Sequence, residues 1–269
     1  ARKPPAPPNR LYHALRDQLG SVRRVYLRSN RVVRRNDFAN HAETVLLLNG
    51  FFQTRTVWEV MESRLRAEGY GVLSFDLGGV LWRYQVRSIT DQAGMIAEKV
   101  ERICERYGLE RFHIVGHSMG GLLARQYVQH RGGDRRVKSL ITLGTPHHGT
   151  PTAVVGLGVT GLGLIGDSAF QMLPGSSFLS KLRRTPWPAH IPLVSVYSRH
   201  DLVCPAWCSV LRPRPGEGAM ENRPIRGVGH TQLTHDPGVY RIISTELARA
   251  ATLWQERVGA HDDAGAVAT

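Results

Sequence analysis

At 269 residues the chain is long enough for one large domain with a substantial core. Its 42% hydrophobic and 21% charged residues are ordinary for a globular protein, and no apolar run reaches the ~20 residues that a membrane-spanning helix needs. A net charge of +13 invites a nucleic-acid reading, but no recognised nucleic-acid-binding module accompanies it.

The first ten residues, ARKPPAPPNR, read as a loose or extended proline-rich arm. Residues 11–20 fit a short helix, and 22–34 one or two basic strands. Six arginines fall within RRVYLRSNRVVRR (23–35). This stretch is a candidate for binding an anionic lipid interface; the plain alternative is a solvated face that keeps the protein soluble. TVLLLNG (44–50) is a continuous apolar run ending in glycine, the pattern of a central strand covered on both faces. Residues 56–69 carry helical spacing through Val57, Val60, Met61 and Leu65, closed by Gly69. A strand is predicted over 70–77, a helix over 90–107, and strands at 111–116, 136–146, 191–201 and 222–230. A final helix is predicted over 236–256. Strands alternating with helices argue a mostly parallel sheet with helices on both faces. The expected organisation is an N-terminal arm and extension (1–40), one α/β domain (41–256) and a loose tail (257–269).

Chemistry enters at HIVGHSMGGLLARQYV (113–128). An apolar strand pattern ends here, and from Met119 a helical one begins at Leu122, Leu123, Tyr127 and Val128. Between them stands Gly116-His117-Ser118-Met119-Gly120, a G-x-S-x-G pentapeptide. So tight a reversal favours residues without a β-carbon on both sides of the serine. A helix-capping serine in a glycine-rich turn is the bland reading. The strand–turn–helix context and the further glycine at 121 favour an exposed nucleophile at Ser118.

Two more polar residues follow strand patterns, Asp201 in VYSRHDLV and His230 in RGVGHTQL. A serine hydroxyl is a poor nucleophile until a neutral imidazole takes its proton. A carboxylate on the other ring nitrogen fixes the tautomer and stabilises the imidazolium. The rival base is His235, placed where the last helix is about to start. Rival acids are Asp236 and Asp76, the latter after an earlier strand.

The order Ser118…Asp201…His230 and the elbow resemble the α/β-hydrolase superfamily. Leu48-Asn49-Gly50-Phe51 resembles the H-G-x oxyanion motif of bacterial lipases, with Asn49 where those usually carry histidine. LGTPHHGTP (143–151), FQMLPGSSFLSKL (170–182) and GVGHTQLTHDPGVY (227–240) are similar to segments of lipases and esterases in this superfamily. The resemblance covers roughly 45–250. It implies an α/β-hydrolase fold, with a cap or lid insert at about 151–188 after the sixth strand. It also implies ester hydrolysis through an acyl-enzyme on Ser118, with no cofactor and no metal. The oxyanion N–H groups would come from Phe51 and Met119. Acyl transfer or thioester hydrolysis would use the same apparatus; a non-catalytic binding protein on this fold is the alternative of another class. The protein is expected to be soluble and bacterial, cytoplasmic or secreted; it begins at Ala1 rather than Met, with no visible signal peptide.

The insert holds AVVGLGVTGLGLIG (153–166), too apolar for an exposed loop and too glycine-broken for a stable buried helix. Its Phe170, Met172 and Leu173, with Phe51 and Phe52, are the expected acyl-binding residues. His147 and His148 tempt a metal reading, but no carboxylate cluster sits nearby in sequence, and a structural role for the loop is expected. Cys104 reads as a buried small hydrophobe. Cys204 and Cys208 are close enough to form a local disulfide in an oxidising compartment, at a spacing that matches neither zinc nor thioredoxin motifs.

Overall fold

The structure is a computed structural model and describes residues 37–51, 53–75, 87–153 and 167–266, with side chains to 257. The predicted elements before residue 37 and the 23–35 arginine stretch lie outside the described residues.

Strand β1 (Thr44–Leu48) is buried at every position, and its alternate residues feed two separate cores. Leu46 and Leu48 join Ile114, Leu140 and Leu193 on one face of the sheet. Val45 and Leu47 join Val115, Ile141 and Val194 on the other. That is why the run is apolar without alternation: each strand residue meets a helix layer whichever way it points. The other strands are β2 (Gly71–Ser74), β3 (Phe112–His117), β4 (Val137–Leu143), β5 (Leu193–Ser198) and β6 (Met220–Ile225). The described strands form one parallel sheet in the order β2-β1-β3-β4-β5-β6.

Helix α1 (Glu59–Ala67) and α7 (Pro237–Ala266) cover the face of Val45 and Leu47, through Met61, Leu65, Val239, Ile243 and Leu247. Helix α2 (Ile89–Tyr107) and α3 (Met119–His130) cover the other face. Local chemistry bounds α2 well. Ser88 Oγ accepts the Asp91 N–H at 3.0 Å, and Gly108 closes the helix in the left-handed region at φ 64°.

From β1 the chain crosses to β2 on one side, then returns to β3 on the other. The loops leaving β1 and β3 therefore part above their carboxyl ends, the place where ligands gather in such sheets. That crevice positions the site.

The edges depart from expectation. β6 begins at Met220 and ends at Ile225, ahead of the predicted 222–230. It pairs with β5 alone and contains Pro224, tolerable only on an edge strand, so its apolar pattern is weak. The last helix runs to Ala266, past its expected end at 256. Within the insert, residues 154–166 lie outside the described residues. The remainder forms α4 (Asp167–Gln171) and α5 (Ser177–Arg184), with Met172, Phe178, Leu179 and Leu182 buried in the core beside α3. That part of the insert is packed into the main core.

Candidate functional site

Ser118 sits between β3 and α3 with φ 54° and ψ −124°, the one non-glycine residue with positive φ among those described. A backbone forced there by its surroundings stores about 1–3 kcal/mol of strain, which must be held in place by neighbouring contacts. Those contacts explain the glycines. A β-carbon on Gly116 would lie 2.7 Å from the Gly121 nitrogen, and one on Gly121 would lie 2.0 Å from Thr145 Oγ1. The Ser118 N–H donates to the Leu143 carbonyl at 2.8 Å, and the Thr145 hydroxyl donates to the Ser118 carbonyl at 2.9 Å. With its main chain tied on both sides, Ser118 spends no side-chain hydrogen bond on capping α3. Met119 is the first residue of α3, so its N–H has no acceptor within the helix and lies beside the hydroxyl's carbon.

The loop after β1 is pressed against this elbow. A β-carbon on Gly50 would approach Ser118 Cβ to 2.8 Å. Asn49 answers the departure from the H-G-x pattern: its Nδ2 donates to the Gln53 carbonyl, while Gln53 Oε1 accepts the Gly50 N–H at 2.9 Å. Gln53 Oε1 also meets His117 Nδ1 at 2.9 Å, and His117 Nε2 lies 3.0 Å from the His230 carbonyl oxygen. The His117 ring is fully buried and packs against the His230 ring at 4.7 Å. Burial, reinforced by the charge His230 can carry, holds its pKa well below the usual histidine value, so the ring stays neutral. A neutral imidazole carries one N–H, so His117 donates to one of these two oxygens and stands packed between the Phe51 loop and the segment carrying His230. Sequence reading passed over both His117 and Gln53. His117 occupies a free position of the pentapeptide, and nothing local to Gln53 reveals a partner 64 residues away.

Asp201 follows β5, with its side chain inaccessible to solvent. Its Oδ1 accepts the N–H groups of Val203 and Cys204 at 2.9 and 2.8 Å, and its Oδ2 accepts a hydrogen bond from His230 Nδ1 at 2.6 Å. A β-carbon on Gly144, at the end of β4, would come within 3.1 Å of Asp201 Oδ2 and 3.2 Å of His230 Nδ1. The elbow after β3, the turn after β4 and the acid–imidazole pair therefore share the carboxyl ends of three adjacent strands. The rivals are otherwise engaged. Asp236 Oδ1 accepts the N–H groups of Gly238 and Val239 at the start of α7, an ordinary helix cap. His235 lies beyond the 3-10 turn Thr231–Thr234, its carbonyl holding Arg64. Asp76 is outside the described residues.

Of the expected acyl-binding residues, Phe51 and Leu173 are half-buried against the main core and Met172 is buried in it. Phe170 is 50% exposed. Phe52 is outside the described residues. His147 and His148 do not converge: His147 is buried between Arg125 and Thr142, whereas His148 Nε2 donates to the Val210 carbonyl. Among the described residues, no three His, Cys, Asp or Glu side chains gather as metal ligands would.

Cys204 and Cys208 are not bridged in this structure: all three cysteines are free and buried. The two neighbours are hydrogen-bonded thiols, and burial pushes the Cys204 pKa up. Asp201 has no need of a bridge, since two backbone N–H groups already hold it. Thiol titration of the denatured, unreduced protein should find three thiols, as the cysteine count requires. Finding one would restore the bridge.

Residues 43–158 match the family described as alpha/beta hydrolase fold. Among solved structures, the chain is similar to the mature lipase BlEst2 of Bacillus licheniformis, with a TM-score of 0.61 and 16% identity over 76% of this chain and 91% of that one. Lipase B of Aspergillus fumigatus gives 0.61 and 15% over 75% of this chain, which spans only 51% of that larger one. The 2-hydroxy-6-oxo-6-phenylhexa-2,4-dienoate hydrolase of a Rhodococcus species gives 0.56 and 17% over 77% and 91%. Likeness at these identities carries the fold.

Proposed function

Since the chain is an α/β-hydrolase-fold protein, we propose that it is a serine carboxylester hydrolase acting on acyl esters of lipids. The observation that carries this reading is the strained Ser118 elbow, set at the same sheet edge as the 2.6 Å Asp201–His230 pair. Ser118 Oγ attacks the ester carbonyl as His230 Nε2 takes its proton. Asp201 holds the Nδ1–H tautomer and offsets the charge on the imidazolium. The N–H groups of Phe51 and Met119 receive the oxyanion of the tetrahedral intermediate, where a preorganised donor is worth about 10²–10³ in rate. His230 then gives its proton to the departing alcohol. Water, activated by the same imidazole, releases the acid. Lipase neighbours of the same fold support the choice of esters.

The acyl chain is expected to lie along Phe51, Phe52, Phe170 and Leu173. Each buried methylene contributes about 0.8 kcal/mol, roughly fourfold in kcat/KM, until the groove is filled. Activity on p-nitrophenyl esters should therefore climb from acetate to medium or long chains, and Leu173→Asp should flatten the climb. A strict preference for acetate, unchanged by Phe170→Asp or Leu173→Asp, would remove the lipid assignment. Matched thioesters and an added alcohol acceptor in the same assay separate hydrolysis of esters from the two related reactions.

A further inference from the structure

Arg125 lies two turns along α3 from Ser118, among the buried residues of that helix. It is 6% exposed. Its guanidinium contacts are His147 Nδ1 and the Leu182 carbonyl, both at 3.3 Å, and its Nε has no hydrogen-bond partner. No carboxylate pairs with it among the described residues. A buried cation left without an anion is strongly disfavoured unless something else neutralises it.

The surroundings add to the imbalance. Arg125 lines a cavity of about 230 Å³ together with His147, His148, Arg183, Arg212 and Arg214. Glu217, the one carboxylate among the lining residues, is already committed to Arg214, with an N–O distance of 2.7 Å and a further bond to the Arg214 N–H. Burial brings the Arg125 pKa down to about 10; attraction to Glu217 works against the fall and repulsion from Arg183 and Arg214 adds to it, so the group remains cationic at neutral pH. Four guanidinium groups thus face one carboxylate that is spoken for. Ser118, Asp201 and His230 do not line this cavity.

We propose that the Arg125 cavity is a second binding site, which takes a small dianion of the phosphate type. A tetrahedral dianion offers enough acceptor oxygens to satisfy the Arg125 guanidinium and the rim arginines together, and it cancels the excess charge as a monocarboxylate does not. The cavity is smaller than the ~300–1,000 Å³ typical of pockets for drug-sized ligands, which suits a compact anion over a whole lipid. The site also has a route to the elbow. His147 belongs to the turn that begins at Gly144 and Thr145, the residues packed on Asp201, His230 and Ser118.

The test is titration of the full chain with inorganic phosphate, followed by ³¹P line broadening at constant ionic strength set with chloride. Saturable binding is expected, at least about tenfold weaker in the rim variant Arg183→Gln/Arg212→Gln and lost in Arg125→Gln. The rim residues are exposed, so that double variant reports on the site even where Arg125→Gln fails to fold. Acetate should compete poorly. Phosphate binding that is not saturable, that is as tight in the rim variant as in the parent, or that acetate displaces as readily as phosphate itself would overturn the proposal.

Discussion

Replacing Ser118 with alanine is expected to lower ester turnover by a factor on the order of a thousand or more, with the fold intact. The substitution removes the attacking oxygen alone. Ser118 makes no side-chain cap to α3, and its main-chain bonds to Leu143 and Thr145 do not involve the hydroxyl. A helix-capping serine would behave in the opposite way, losing about 1 kcal/mol of stability and no chemistry. His230→Ala should be as severe as Ser118→Ala, because Asp201 then has no imidazole to orient. His235→Ala should be mild, since that residue contributes its carbonyl to Arg64 and lies beyond the site. Purified variants compared for kcat/KM and for circular dichroism decide the matter. A folded Ser118→Ala protein with near-normal turnover would end the nucleophile assignment, and a severe His235→Ala with a mild His230→Ala would move the base.

The second large effect is on stability. A β-carbon at Gly120 would fall 2.2 Å from the Leu48 carbonyl oxygen and 2.8 Å from that of Asn49. These are backbone atoms at the end of β1 and in the loop that carries Phe51, so no side chain can swing away to make room. Gly120→Ala must push α3 off the sheet, and overpacking of that kind costs about 1–3 kcal/mol or more. For a domain of this size, a fall in Tm of roughly 5–10 °C is expected. Activity should fall further than stability, because the displacement separates the Met119 and Phe51 N–H groups. Gly94→Ala in α2 is the control of opposite sign. Its β-carbon would meet Arg131 at an ordinary 3.7 Å, and alanine in a helix interior gains about 0.5–1 kcal/mol over glycine. Thermal unfolding of the two variants side by side checks the argument; a Gly120→Ala protein as stable as the parent would contradict the close packing of α3 on β1.

What could be read from the chain alone was whatever is local or periodic. The run Val45–Leu48 is apolar because helices cover both faces of its strand, and that pattern needs no partner to be recognised. The elbow is legible because its glycines are steric necessities within a few residues of Ser118. Asp201 and His230 follow from strand ends and chain order. Features set by tertiary contact were not legible. Gln53 and His117 meet beneath the loop after β1 through contacts that span the fold. β6 is a half-exposed edge strand, so its hydrophobic signal misplaces it by a few residues. The insert after β4 reads as too apolar for a loop; the structure seats Phe178, Leu179 and Leu182 in the main core, and periodicity cannot distinguish a core helix from a cover. The buried Arg125 guanidinium, whose Nε has no hydrogen-bond partner, is likewise invisible in a helical stretch that reads as plain amphipathic pattern.

The central claim is that Ser118 is a nucleophile activated by His230. The most direct measurement is reaction of the native chain with an alkyl organophosphonate, followed by peptide mass analysis. The account predicts one stoichiometric adduct, on the peptide holding Ser118, formed in parallel with loss of ester hydrolysis and abolished by prior His230→Ala. An unlabelled Ser118 in a protein that still hydrolyses esters, or an adduct on any other residue, would contradict it.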